Sequence, residues 1–387
     1  MTTRKWIVLL LAALLPLTGC KGFWNQPSSS GGGGGGGGTG TSGGYFYVLN
    51  QATSQIAAFS IANSTLTVVA GSPYALASTP YSIAVSPNGA FLYVGTAVGI
   101  YLYTIGSGGV LTLANNSSVI SSDFATTMQF DATGSWLLEA GPNLAEVLAI
   151  RINTLSGLPS SGVEVNTVLP SANIQQLTVS PDNAHVLVAM GTSGTQEIFF
   201  VAGNNAAPFG TGANIPVKNL GGSALSVAVD PQNRLIYIGE TAATSGSNTG
   251  GLRVLDYNTL TEISGSPFST GGLSPYFILP MSTGKIIYIA NRNVTGSATG
   301  TITGFTVATS GSSYSLTPLS STATTGIAPV DMAVDATGTY LMVVNSGGVP
   351  DLSVFTFDST TAGKLNSALS APTGVDPVQA SAIAALP

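Results

Sequence analysis

One pattern repeats along this chain and restricts its fold more than any other feature. A short apolar strand ends in Ser or Asp, a three-residue turn follows, and a second apolar strand begins. Tyr81–Ser86, Pro87-Asn88-Gly89 and Phe91–Gly95 form one copy. Met128–Asp131, Ala132-Thr133-Gly134 and Trp136–Glu139 form another. Further copies begin at Leu177, Val227, Phe277 and Met332. The Gly and Asn residues of the turns supply the positive φ that a tight hairpin needs. The anchors Ser86, Asp131, Ser180, Asp230, Met281 and Asp335 recur every 45 to 54 residues, read directly from their numbers. That is the length of a four-stranded propeller blade.

A third strand is expected after each hairpin: Ile56–Ile61, Ile100–Ile105, Val147–Ile152, Glu197–Val201, Leu252–Asp256, Thr301–Val307 and Leu352–Phe357. A more polar outer strand follows, as at Leu66–Val69, Leu111–Ala114, Thr261–Ser264 and Leu365–Leu369. Six hairpins are complete. Tyr45–Leu49 is a second strand without a first, and Gln379–Leu386 is a first strand without a second. Together they make a seventh blade. The expected fold is therefore all-β: a seven-bladed β-propeller of four-stranded antiparallel blades over residues 45–387, its ring closed by the two chain ends.

The segment ahead of the repeats has another role. Arg4 and Lys5 precede an apolar run from Trp6 to Leu15, too short to span a bilayer. Leu17-Thr18-Gly19-Cys20 then resembles a bacterial lipobox. Residues 1–19 read as a lipoprotein signal peptide and Cys20 as the acylated new N-terminus. It is the only Cys, so no disulfide can form within the chain. Residues 20–44, with eight consecutive glycines from Gly31 to Gly38, read as a tether. Its Pro/Ser/Gly/Thr portion reaches roughly 20–25 Å. The expectation is an exported protein held to the bacterial cell envelope by lipid. Lys21 stands where an inner-membrane retention signal places Asp, which favours the outer membrane.

Composition narrows function. Lys and Arg together number 10 and the net charge is −6, so no basic footprint for nucleic acid exists. No metal, nucleotide or cofactor motif is present, and no Gly-x-Ser-x-Gly elbow has a His partner. His185 is the only His and begins a second strand directly after a turn, on the face away from the expected site. Asp331 and Asp335 point to one side but lack further ligands for calcium.

The second strands end in a ring of residues at one face of the channel: Asn50, Thr96, Gly141, Met190, Glu240, Asn291 and Asn345, with Arg292 beside it. Two long loops on that face, Thr241–Gly250 and Arg292–Gly300, sit in adjacent blades. Loops on a rigid scaffold carry function more often than the scaffold does. Asn50, Glu240, Asn291, Arg292 and Asn345 are thus the candidate ligand-binding residues. An ion pair between Glu240 and Arg292 is expected either to hold a small acid or sugar or to brace the blades. The asparagines are also expected to cap strand ends.

Pro80–Val94 resembles the repeat of the lactonase-type seven-bladed propellers, which include 6-phosphogluconolactonases. Ile287-Tyr-Ile-Ala-Asn-Arg292 with Ile302-Thr-Gly-Phe305 resembles their Tyr-Val-x-Asn-Arg…Ile-x-x-Phe unit, and Tyr47-Val-Leu-Asn50 with Ile56–Phe59 is a weaker copy. The same repeat occurs in related Tyr-Val-Thr-Asn propellers. The resemblance covers residues 45–387 and implies a propeller with, at most, metal-independent lactone hydrolysis. In that case Arg292 holds a carboxylate and Glu240 assists water. Only Asn291-Arg292 matches a family functional position, and Tyr81 and Tyr276 stand where the family carries His-bearing loops. The leading expectation is a binding or scaffold propeller with a small acid, a sugar or an envelope protein as partner. A lactonase is the alternative.

Overall fold

A computed structural model describes residues 44–387 apart from 143, 248, 293–298, 348 and 375–378. The signal segment, Cys20 and the tether lie outside the described residues. Alternating apolar residues produce strands throughout. Among the described residues the only helical turns are two short 3-10 segments, Ser107–Gly109 and Asn115–Ser117.

Seven four-stranded antiparallel units follow in order. The innermost strands are Ala380–Ala385, Pro80–Val85, Thr127–Phe130, Gln176–Val179, Ala224–Val229, Pro275–Pro280 and Ala323–Val334, in blades one to seven. The matching second strands are Tyr45–Asn50, Phe91–Thr96, Trp136–Ala140, His185–Ala189, Leu235–Glu240, Ile286–Asn291 and Tyr340–Gly347. Each inner strand packs on the next around a complete circle, and Ala323–Val334 meets Ala380–Ala385 to close it. Blades six and seven also share a few ladder pairs through their third and first strands, such as Thr301 with Thr324.

Blade one joins the two ends of the chain. Phe46 lies opposite Ala385 and Val48 opposite Ile383, in the arrangement that the unpaired terminal segments require. Two outer details differ from expectation. The third strand of blade four is Thr195–Phe199, two residues early. Blade five's outer strand is the pair Phe268–Ser269; the polar stretch 261–264 makes only a single bridge, Leu255 to Glu262.

Two sets of polar contacts hold neighbouring blades together. An inner strand is a sheet edge, and its free N–H groups need acceptors. Side chains of the preceding blade supply them: Thr127 Oγ1 accepts from Leu177 N (3.1 Å), Gln129 Oε1 from Val179 N (2.9 Å), Gln176 Oε1 from Val227 N (3.1 Å) and Asp331 Oδ2 from Ile383 N (3.0 Å). In the second set, an aromatic of the second strand reaches the outer turn of the next blade. Tyr47 donates to Gly109 O, Tyr93 to Gly157 O, Trp136 Nε1 to Ala202 O and Tyr288 to Gly363 O, at 2.6 to 3.0 Å. Burial pushes the Tyr93 and Tyr288 phenols well above their usual range, so they stay protonated donors. Gly157 has φ +72°, and a Cβ there would lie 2.7 Å from the Phe91 ring; only glycine fits that turn.

The hairpin anchors work in the same economical way. Ser86 Oγ accepts from Phe91 N, Asp131 Oδ1 from Trp136 N, Ser180 Oγ from His185 N and Asp335 Oδ1 from Tyr340 N. This explains the Ser or Asp before four of the turns, including Asp335; Asp230 accepts instead from Gln232 N and from the Arg234 guanidinium. Asp331, the other member of the Asp pair, is buried and serves the ring closure just described. His185 has a carboxylate neighbour. Nδ1 lies 2.8 Å from Glu197 Oε1, without the alignment of a hydrogen bond, while the ring packs edge-on against Phe199 and Tyr257.

Candidate functional site

The loops from second to third strand and from fourth to first strand open on one face of the ring. Five inner strands carry a register shift at that end, between Pro80 and Ser82, Ala224 and Ser226, Pro275 and Phe277, Pro329 and Asp331, and Ala380 and Ala382. A bulge bends its strand and re-aims the extra side chain. Here the extra residues are Tyr81, Leu225, Tyr276, Val330 and Ser381. The positive φ of Ser274 and Ala328, just before Pro275 and Pro329, belongs to the same entry turn. The repeating bulge is invisible in hydrophobic pattern, because it inserts one residue without breaking the apolar run.

Tyr276 thereby becomes the platform for Arg292. The guanidinium carbon sits 4.9 Å from the Tyr276 ring centroid, a cation–π arrangement. Arg292 Nη2 also lies 3.4 Å from Ser346 Oγ, which donates to Ala328 O at 3.2 Å. The Arg292 backbone N–H donates to Ser274 O. Among the described residues no carboxylate lies within ion-pairing distance of Arg292. The side chain is half-buried and its fork of donors is largely unspent.

Glu240 does not complete this site. Its cationic partner is Arg253, from the third strand of its own blade, at 3.5 Å. Its two oxygens also accept from Lys218 N at 3.2 and 3.1 Å. Burial pushes the Glu240 carboxyl up, opposed by the Lys218 N–H and by Arg253. Arg253 in turn approaches Glu262, which Lys218 Nζ contacts at 2.7 Å. The Glu240–Arg292 pair is thus replaced by a charge network of blade five and the loop that leads into it. Arg253 had no sequence signal beyond an ordinary cation in a strand; its role follows from register, since Arg253 faces Ile238 two residues before Glu240.

The asparagines are equally committed. Asn50 Nδ2 donates to Thr373 O, and Thr373 Oγ1 lies 2.8 Å from Asn50 Oδ1 and 2.5 Å from Asp351 Oδ2. Asn345 Oδ1 accepts from Thr325 Oγ1 (2.9 Å) and its Nδ2 donates to Ser353 Oγ (3.2 Å). Asn291 Nδ2 donates to Thr303 Oγ1 at 3.0 Å, while its Oδ1 has no hydrogen-bond partner. All three are fully buried. They pin the ends of second strands, mostly to Thr side chains rather than to backbone. Of the sequence-selected residues, Arg292 alone keeps a charged group without an ion-pair partner among the described residues. The loop that follows it, 293–298, lies outside the described residues.

An aromatic pair occupies the rim across the ring: Tyr81 meets Phe124 edge-on at 4.7 Å. A cavity of about 240 Å³ lies on the opposite face, between the hairpins of blades two and three; Asn88, Phe91, Tyr93 and Thr154 contribute to its wall. Among the described residues no three His, Cys, Asp or Glu side chains are grouped to hold a metal ion.

No family model matches the chain, and no curated protein matches it. Solved structures do. The chain is similar to the periplasmic gluconolactonase PpgL of Pseudomonas aeruginosa, with TM-score 0.66 at 14% identity over 89% of this chain and 99% of that one. It is similar to a provisionally assigned 6-phosphogluconolactonase of Bacteroides fragilis, with TM-score 0.65 at 15% identity over 91% and 100% of the two chains. The β-propeller domain of Swd1 from Myceliophteria thermophila aligns with TM-score 0.55 at 13% identity, over 76% and 86%. The fold is that of the lactonase-like β-propellers.

Proposed function

We propose that this protein is a lipid-anchored propeller of the bacterial cell envelope that binds a small carboxylate or sugar acid at its channel mouth through Arg292. The observation that carries the reading is the unspent guanidinium. Arg292 is held in place by a ring face and a hydroxyl, neither of which neutralises it. A planar fork of donors suits a carboxylate. Replacing Arg292 with Ala is expected to weaken binding of aldonate sugars at least tenfold while leaving the melting temperature within a degree or two. The stability change is small because a half-exposed cation on a ring contributes about 0.5–1 kcal/mol. Titration calorimetry with gluconate checks this; unchanged affinity removes Arg292 from the site.

The fold likeness to PpgL favours one second reading, hydrolysis of a sugar lactone. Its product carries the carboxylate that Arg292 suits. Hydrolysis also needs a group to activate water, and Glu240, the sequence-based choice, is tied to Arg253. Lactone turnover that disappears in Arg292→Ala establishes the enzyme reading over the binding one.

Anchoring rests on the motif ending at Cys20. Cys20→Ser is expected to abolish incorporation of labelled palmitate and to move the protein from the membrane to the soluble fraction. Membrane retention without label would show another mode of attachment.

A further inference from the structure

The interface between blades two and three repeats that between blades four and five, with one ring missing. In the hairpins of blades four and two, Ser180 matches Ser86, Asp182 matches Asn88 and His185 matches Phe91. On the other side, Tyr257 of blade five matches Ile152 of blade three. Their neighbours Asp256 and Arg151 lie opposite the matching residues Leu235 and Trp136. Their own N–H groups donate to the matching carbonyls of Arg234 and Ser135.

Between blades four and five the tyrosine fills the interface. The Tyr257 ring is buried and meets His185 edge-on, with centroids 4.8 Å apart. Asp182 Oδ1 accepts three hydrogen bonds, from Ser180 Oγ (2.6 Å), Ala184 N (3.0 Å) and the Tyr257 hydroxyl (2.7 Å). Asn88 Oδ1 accepts the first two of these from the matching groups, Ser86 Oγ (2.7 Å) and Ala90 N (3.1 Å). Among the described residues nothing donates to it in the third place, because Ile152 carries no hydroxyl. Tyr93 and Phe130 are bulkier than Leu187 and Val229 at the matching positions, yet the cavity of about 240 Å³ remains, with Ile152, Phe91 and Asn88 in its wall.

The wall sets the chemistry of an occupant. Phe91, Tyr93 and Ile152 are buried and apolar, and the Tyr93 hydroxyl is spent on Gly157 O. Asn88, Thr133 and Thr154 are exposed and make the entrance polar. No charged side chain lines the cavity. An apolar cavity of about 150 Å³ already accommodates benzene, so a ring with small substituents fits here. We propose that this cavity binds a small uncharged monocyclic phenol, its ring against Phe91 and its hydroxyl donating to Asn88 Oδ1, as the Tyr257 side chain donates to Asp182 within the chain itself.

p-Cresol, which reproduces the tyrosine side chain, is the probe. Calorimetry is expected to show saturable binding of one p-cresol per chain. Toluene lacks the hydroxyl and should bind about fivefold more weakly or worse. Ile152→Tyr builds the ring into the cavity and should abolish p-cresol binding without lowering the melting temperature. Asn88→Asp reproduces the turn of blade four, which keeps the hairpin intact, and offers a carboxylate as acceptor. It should tighten p-cresol about threefold or more and leave toluene unchanged. No saturable p-cresol binding, equal affinity for toluene, or Asn88→Asp acting on both ligands alike overturns the proposal. So does undiminished p-cresol binding in a folded Ile152→Tyr protein.

Discussion

Removing residues 379–387 is expected to leave a chain that does not unfold cooperatively at any temperature above ambient. The strand Ala380–Ala385 is buried along its whole length, and it is the innermost strand of blade one. Its loss exposes Phe46 and Val48, which pair with it, and withdraws Ile383 and Ala385 from the cluster shared with Met342 and Val344. Burying one Ile side chain and four Ala methyls contributes about 5 kcal/mol at ~25 cal/mol/Å². That is comparable to the whole net stability of many domains. The deletion also removes the Ile383 N–H, one of the donors to the buried Asp331 carboxylate. The ring then has a gap with open sheet edges on both sides. Removing residues 25–40 from the glycine-rich segment serves as the control and is expected to leave the transition in place. Scanning calorimetry on the two deletions decides the matter: similar transitions would mean that the ends do not seal the ring.

The ring was legible because its information is local and repeated. Turn residues at fixed offsets, apolar runs of strand length and two incomplete hairpins at the ends suffice to count the blades. The side chains that join blades were also visible in sequence, but as motif rather than as mechanism. Tyr47, Tyr93 and Tyr288 belong to the Tyr-Val pattern that carried the family resemblance, and the structure gives each a structural duty across a blade boundary. The same holds for Asn50, Asn291 and Asn345, which are absorbed by Thr partners on neighbouring segments. Their recurrence therefore reflects the fold, and it cannot mark a site by itself.

Pairing of charges was not legible. Glu240 and Arg292 end adjacent second strands, so proximity in blade order suggested an ion pair. Within a blade, however, strands are about 4.8 Å apart, closer than the ends of separate blades, and the cation one strand over takes the carboxylate. Arg253 therefore wins, and Arg292 turns to the ring that a bulge presents. That bulge depends on one extra residue in an inner strand, a count that apolar periodicity does not record. The buried carboxylate of Glu139 was missed for the opposite reason: a single acidic residue at the end of Trp136–Glu139 looked like an ordinary strand end, and its isolation appears only when the other six blades, which carry Val48, Val94, Val188, Ile238, Ile289 and Val343 at this place, are set beside it.

Stability should fall as pH rises from about 5 to 8, and Glu139 should account for most of that slope. In the unfolded chain a Glu ionises near its ordinary 4.5; in the folded protein burial, then Asp123, Glu146 and Glu164, push it up to about 8. Between these values the folded state keeps a proton that the unfolded state has released. The unfolded state is then favoured by every rise in pH, by up to about 1.4 kcal/mol per unit. The contribution is complete below about 4.5 and is lost as pH passes through the window toward 8. Glu139→Gln keeps the size of the side chain and cannot ionise. Its melting temperature should match the parent near pH 5 and exceed it by several degrees at pH 8, for a gain on the order of 3 kcal/mol. Glu139→Leu, which restores the aliphatic character found at this place in the other blades, should do the same, since replacing a buried unpaired charge with an apolar side chain is commonly stabilising. Denaturant titrations of all three proteins between pH 5 and 8 supply the comparison. A difference that stays constant across that range would mean Glu139 is ionised throughout, with a cation or a donor already beside it.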